Sequence, residues 1–129
     1  MKKITLFLID DDEEVVNALA AIFRPNKRFK VRAHTTVAAA LQDTGQHPPQ
    51  LVICDHLMPE HSGIETLRQL RRRFPLLRSI LLTGQSLADE EITRGMNEGV
   101  VDLYISKPWN QAELTETVQR MAREAAKSS

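Results

Sequence analysis

Four short apolar runs stand out along the chain: Ile4-Thr5-Leu6-Phe7-Leu8-Ile9, Leu51-Val52-Ile53-Cys54, Ser79-Ile80-Leu81-Leu82-Thr83 and Val100-Val101-Asp102-Leu103-Tyr104-Ile105. Near-continuous apolarity over so short a span predicts strands buried on both faces. A fifth run, Phe29 to Thr35, alternates Phe29, Val31 and Ala33 with Lys30, Arg32 and His34, which suits an edge or half-exposed strand. Between the runs the period becomes helical. Val15, Val16, Leu19, Ala20, Ile22 and Phe23 form a stripe that stops at Pro25. A short Ala-rich segment covers Val37 to Leu41. Ser62 opens a helix through Ile64, Leu67, Leu70 and Phe74, closed by Pro75. A polar helix is expected from Leu87 to Asn97. The last, Asn110 to Arg123, has Asn110 as N-cap and turns Leu114, Val118 and Met121 inward.

Strands and helices thus alternate, strand first, which implies a parallel sheet covered on both sides, an α/β fold. The 129 residues fit one domain, read as residues 1–126 with 127–129 a tail or the start of a linker. No repeat or low-complexity tract interrupts it.

Composition narrows the function. Seventeen basic and seventeen acidic side chains cancel, which argues against a dedicated nucleic-acid surface or a polybasic membrane anchor. The single cysteine, Cys54, cannot form an internal disulfide and reads as a small buried apolar residue. His34, His47, His56 and His61 show no metal-ligand spacing. The apolar N-terminal run ends at Asp10-Asp11-Asp12, too short for a signal peptide or a membrane span. A reducing, cytoplasmic compartment is expected.

In a doubly wound sheet, functional groups gather beyond the carboxyl ends of the strands. That rule selects Asp10, Asp11 and Asp12 after the first strand and Asp55 after the third. It also selects Thr83 at the end of the fourth and Lys107 beyond the fifth. Any one of these aspartates could be an ordinary helix cap. Together they suit phosphoryl transfer. Crowded carboxylates repel unless a hard cation such as Mg²⁺ joins them. A central aspartate can act as nucleophile, and a lysine and a hydroxyl can stabilise the transferred group. Residues alone reach an Mg²⁺ and phosphate site on an α/β domain.

The segments LFLIDDDEEVVNAL, LVICDHLMPEHSG, SILLTG and LYISKPW, in this order and spacing, resemble the receiver domains of two-component response regulators (the CheY-like superfamily) over essentially the whole chain. The resemblance implies a flavodoxin-like (βα)₅ fold with strand order 2-1-3-4-5. It implies Asp55 as phosphoacceptor, and Asp10, Asp11, Asp55 and the Leu57 carbonyl as Mg²⁺ ligands, with Asp12 a third nearby carboxylate. Thr83 and Lys107 would contact the phosphoryl group. Tyr104 stands where members often carry a switching aromatic; the plain alternative is a half-buried strand tyrosine with its hydroxyl in water. Leu57 and Gln85 hold positions that tune phosphoryl lifetime, and Trp109 is expected to pack beside the site.

The implied phosphodonor is a sensor histidine kinase or phosphotransfer protein. The chain would be no enzyme beyond its own phosphorylation and dephosphorylation. It would contact neither membrane nor nucleic acid directly. An output domain or a homodimer would use the face of the fourth helix, fifth strand and fifth helix. Arg68, Arg71, Arg72, Arg73 and Arg78 read as a solvated, dipole-favoured helix end, with a partner surface as the alternative. The alternative function is an aspartyl-phosphate phosphohydrolase of small metabolites. That chemistry wants a second acid two residues after the nucleophile, where this chain has Leu57. A flavin or dinucleotide binder is disfavoured, because Asp10-Asp11-Asp12 replaces a Gly-rich phosphate cradle.

Overall fold

The computed structural model describes residues 2–86 and 88–128. Strands β1 (Ile4–Ile9), β2 (Phe29–His34), β3 (Leu51–Cys54), β4 (Arg78–Thr83) and β5 (Leu103–Ser106) alternate with helices α1 (Glu13–Phe23), α2 (Val37–Asp43), α3 (Gly63–Arg73), α4 (Glu90–Asn97) and α5 (Gln111–Ser128). All neighbouring strands are parallel, in the order β2-β1-β3-β4-β5. The flavodoxin-like arrangement expected from the resemblance is therefore the one observed.

Side chains alternate across the pleat, and the sheet sorts them into two cores. Leu6, Leu8, Ile53 and Ile80 face α1 and α5, meeting Leu19, Phe23, Leu114 and Val118. Phe7, Ile9, Val52 and Leu81 face the other way, meeting Val37 of α2, Ile64, Leu67 and Leu70 of α3, and Ile92 of α4. The central strands are mostly apolar because both of their faces are covered.

Two boundaries differ from the sequence expectation. Val100 and Val101 are buried but precede β5, since both amide N–H groups donate to the Gly95 carbonyl and close α4. An apolar run fits a helix exit under the sheet as well as it fits a strand. Helix α4 begins at Glu90, because the Asp89 side chain accepts from the Glu91 and Ile92 amides as N-cap; Leu87 lies outside the described residues. Asn110 caps the last helix as expected, its Oδ1 accepting from Glu113 N at 3.0 Å. That helix runs on to Ser128.

The arginine cluster also reads differently in three dimensions. Arg68 donates to Glu98 at 2.6 Å, Arg71 to Asp102 at 2.9 Å and Arg73 to Thr44 at 3.2 Å. These partners come from α4, the approach to β5 and the end of α2, which sequence spacing could not bring near.

A second polar cluster closes the β2 edge. Asp43 accepts two hydrogen bonds from Arg32, at 2.8 and 2.9 Å, and lies 2.7 Å from His34 Nε2 and 2.9 Å from His47 Nδ1. The Arg32 hydrogen bonds are the main reason its carboxyl sits well below the ordinary 3.8; burial opposes this and the two histidines add to it. A lowered native pKa adds stability that is present above the unfolded value and is lost as pH falls below it. Asp43→Asn should therefore cost about 2 kcal/mol near neutrality. The gap from the wild type should begin to close below about pH 4, where the unfolded chain's carboxylate takes up a proton while the native one stays ionised. Urea unfolding across that range checks both statements.

Candidate functional site

The rim formed by the carboxyl ends of the strands collects the groups selected from sequence. β1 and β3 are hydrogen-bonded neighbours, with Ile9 opposite Cys54, so the next residues, Asp10 and Asp55, leave the sheet side by side. Backbone bonds fix both exits: Asp10 N donates to the His34 carbonyl at 3.2 Å and Asp55 N to the Ile9 carbonyl at 2.9 Å. Asp10 is 2% exposed and Asp55 7%. Asp11 stands in solvent beside them. Carboxylate oxygens of Asp10, Asp11 and Asp55 all lie within 4.8 Å of one another.

Asp12 does not join this group. It is the N-cap of α1, its side chain accepting from Glu14 N at 3.0 Å. The capping role that any single aspartate could have filled is filled by the third of the triplet.

Lys107 supplies the positive charge. Its Nζ donates to Asp10 Oδ2 at 2.7 Å and lies 3.5 Å from Asp55 Oδ1. Burial alone would lower the lysine pKa, but hydrogen bonding to Asp10 and the charges of Asp10 and Asp55 outweigh it and raise the pKa. Burial raises the Asp10 carboxyl, and the bonds from Lys107 and the Asp12 amide only partly offset this. Desolvation thus makes the acidic group costly, and one lysine does not discharge three carboxylates. An all-oxygen donor set of this charge fits a hard divalent cation such as Mg²⁺.

Thr83 ends β4, fully buried, with its Oγ1 accepting from Gln85 N at 3.3 Å. Lys107 N donates to the Thr83 carbonyl at 3.0 Å, so the hydroxyl and the ammonium come from adjacent strand ends. The Tyr104 hydroxyl donates to the Gln85 carbonyl, which ties β5 to the turn after Thr83. The tyrosine is half-buried, but its hydroxyl is engaged by the protein rather than left to water. Trp109 packs against the core shared by α1 and α5. Cys54 is fully buried, and burial pushes its thiol far up, so it is inert.

The loop from Asp55 to Gly63 closes tightly. Gly63 N donates to the His56 carbonyl at 2.7 Å, and a Cβ on Gly63 would lie 2.1 Å from the Asp55 carbonyl oxygen. Because the obstruction is backbone, Gly63→Ala must displace the Asp55 loop or the start of α3. A loss of about 2–4 kcal/mol is expected. At Gly84 a Cβ meets nothing within 4 Å, so Gly84→Ala should leave thermal stability almost unchanged. Melting curves of the two variants check the contrast.

Sequence reasoning missed one set of contacts here. His56, buried beside Asp55, has Nε2 3.3 Å from Glu91 Oε1, and Ser62 Oγ donates to Glu91 Oε2 at 3.0 Å. A single carboxylate on the first turn of α4 thus holds both ends of the loop that follows Asp55. No spacing rule links residues this far apart. His56 and His61 share no role: His61 is partly exposed, 3.6 Å from Glu65.

Comparison with known proteins agrees with this fold. Residues 6–119 match the family model described as response regulator receiver domain. The chain is 32% identical over 119 residues to the hydrogenase transcriptional regulatory protein HoxA of Cupriavidus necator, covering 92% of this chain and 24% of that protein. It is 33% identical over 128 residues to response regulator Rre1 of Synechocystis sp., covering 97% and 54%. The chain thus spans between a quarter and about half of the length of these curated relatives. Among solved structures, the BeF₃-activated DrrB receiver domain superposes with a TM-score of 0.83 at 26% identity, covering 95% of this chain and 99% of the other. A CheY-like receiver domain protein from Methanospirillum hungatei gives 0.89 at 22% identity, covering 99% and 100%, a likeness of fold.

Proposed function

The chain belongs to the response regulator receiver family of two-component signalling, and from that premise we propose that Asp55 is the residue on which it accepts a phosphoryl group. The observation that carries this reading is the meeting of Asp10, Asp11, Asp55 and Lys107 from three separate strand ends. Asp55 is the central carboxylate, between the acidic pair on β1 and the ammonium beyond β5.

In this reading an Asp55 carboxylate oxygen forms the new O–P bond as the donor's bond to phosphorus breaks, the electron pair leaving with the donor. Lys107, held between Asp10 and Asp55, meets the negative charge on the transferring oxygens. Thr83 offers its hydroxyl to the same oxygens from the end of β4. Mg²⁺ would be held by Asp10, Asp11, Asp55 and the Leu57 carbonyl, and would supply charge neutralisation at the phosphoryl oxygens. Leu57 is 56% exposed and carries no titratable group, so no acid stands two residues beyond Asp55 to speed hydrolysis. That favours a switch over a phosphohydrolase.

The phosphodonor in this reading is a sensor histidine kinase or phosphotransfer protein, and the compartment is the cytoplasm. No helix of the described residues is long and apolar enough to cross a membrane. The switched surface is α4, β5 and α5, reached through Thr83, the Gln85 carbonyl and Tyr104, and it would meet an output domain or a second receiver. Incubation with a small acyl phosphate and Mg²⁺ should add one phosphoryl mass to the intact chain, and a chelator should remove that gain. Equal labelling with and without the chelator would count against the metal.

A further inference from the structure

The zero net charge conceals a strong separation of charge. Each helix follows a parallel strand, so helix ends and strand starts share the rim opposite Asp55. Lys2, Lys3, Arg24 and Lys27 stand exposed on that rim, which also carries Arg73 and Arg78 at the end of α3 and the start of β4. Among the described residues, Asp43 is engaged with Arg32, Glu98 with Arg68 and Asp102 with Arg71; Glu124 also has a partner. The acidic groups of the first helical turns and of the strand exits gather at the other rim. Part of this follows from matching charges to helix dipoles. Lys2, Lys3 and Arg78 lie on no helix, and the dipole does not account for them.

Within the basic rim the α3–β4 turn exposes an apolar ridge. Leu76 is 64% exposed, and among the described residues only it and Leu57 are large apolar side chains so placed. Two hollows flank it. One, of about 230 Å³, is walled by Pro49, Phe74, Leu77 and Ala125. The other, of about 210 Å³, is walled by Pro75, Arg71 and Arg78. Arg71 gives its Nη2 to Asp102, while its buried Nε has no acceptor among the described residues.

We propose that this rim docks a polypeptide segment of a partner protein in which an apolar residue lies next to carboxylates. The apolar side chain fills the hollow beside Phe74, and the carboxylate reaches the guanidinium groups across the Leu76 ridge. Aromatic and arginine groups around an apolar anchor are the usual make-up of a binding hot spot, and a net positive charge on the rim selects its opposite. A second copy meeting the same face would set Arg71, Arg73 and Arg78 against their own counterparts, which repel. A nucleic-acid backbone would leave the apolar hollow unfilled.

The test uses the whole ¹⁵N-labelled chain, a short capped peptide alternating leucine and glutamate, its lysine-for-glutamate counterpart, and a short DNA duplex. The leucine–glutamate peptide should shift amides of residues 74–78 and 125 saturably, more weakly as salt rises. Leu76→Ser and Arg78→Glu should each weaken it by about tenfold or more. Phosphorylation by a small acyl phosphate should be unaltered in both variants, which separates this surface from the Asp55 reading. The proposal is overturned if no saturable shift occurs in that region, or if the lysine peptide binds equally well. It is overturned equally if the duplex competes at the same concentration, which would make the rim a nucleic-acid surface. Self-association abolished by Leu76→Ser would assign it instead to a second copy.

Discussion

Asp55→Asn is expected to abolish phosphoryl uptake while leaving the fold intact. The amide keeps the shape of the side chain and an oxygen for Lys107, which lies 3.5 Å from Asp55 Oδ1. It lacks the anionic oxygen that must attack phosphorus, so labelling should drop at least ~10³-fold. Stability should move the other way. Asp10, Asp11 and Asp55 crowd their oxygens within 4.8 Å, and removing one charge relieves repulsion that the fold otherwise bears. In the absence of divalent cation the variant should be as stable as the wild type or more so, by about 1 kcal/mol. Mg²⁺ should raise the melting temperature of the wild type more than that of the variant, since it binds a fuller set of ligands there. Intact mass after treatment with a small acyl phosphate, together with melting curves, reads all three. Full labelling of the asparagine variant would remove Asp55 from the mechanism.

Most of the rim could be anticipated because its logic is local. A buried parallel strand must be apolar along its length, so each strand announces its own end. A polar residue at that point, as at Asp10, Asp55 and Thr83, is placed on the rim by the strand itself. The strand order came from family resemblance, since periodicity is silent on which strands are neighbours. What stayed hidden depends on that order. The clasp of Glu91 on His56 and Ser62, and the ties from α3 to Glu98 and Asp102, join residues about thirty positions apart in the chain. Val100 and Val101 misled for a related reason. Both are buried, as an apolar run implies, but two valines do not say whether a sheet or a helix exit buries them. Charge misled in its own way: a sum of zero over the sequence says nothing of its arrangement in space.

Lys107→Ala should cost both chemistry and stability, and the two losses should respond differently to Mg²⁺. Among the described residues the ammonium is the one cation bonded into the acidic group, 2.7 Å from Asp10 Oδ2. Removing it leaves Asp10, 2% exposed, with only the Asp12 amide to offset its burial. Deleting one partner of a buried pair costs about 3–5 kcal/mol when nothing replaces it, and less here because the lysine side chain keeps 23% of its surface. Saturating Mg²⁺ should return most of that stability, because a divalent cation neutralises the same carboxylates. Phosphorylation should not return with it. The transferring oxygens still lack their fixed positive partner, and a loss of about 10²–10³-fold is expected even in the Mg²⁺-loaded variant. Lys107→Arg should fold better than the alanine variant but react poorly, since a planar fork cannot take the place of a compact ammonium between Asp10 and Asp55. Melting curves with and without Mg²⁺, set beside rates of phosphoryl uptake, separate the structural role of this lysine from its chemical one. Wild-type rates in the alanine variant would confine Lys107 to holding the aspartates in place.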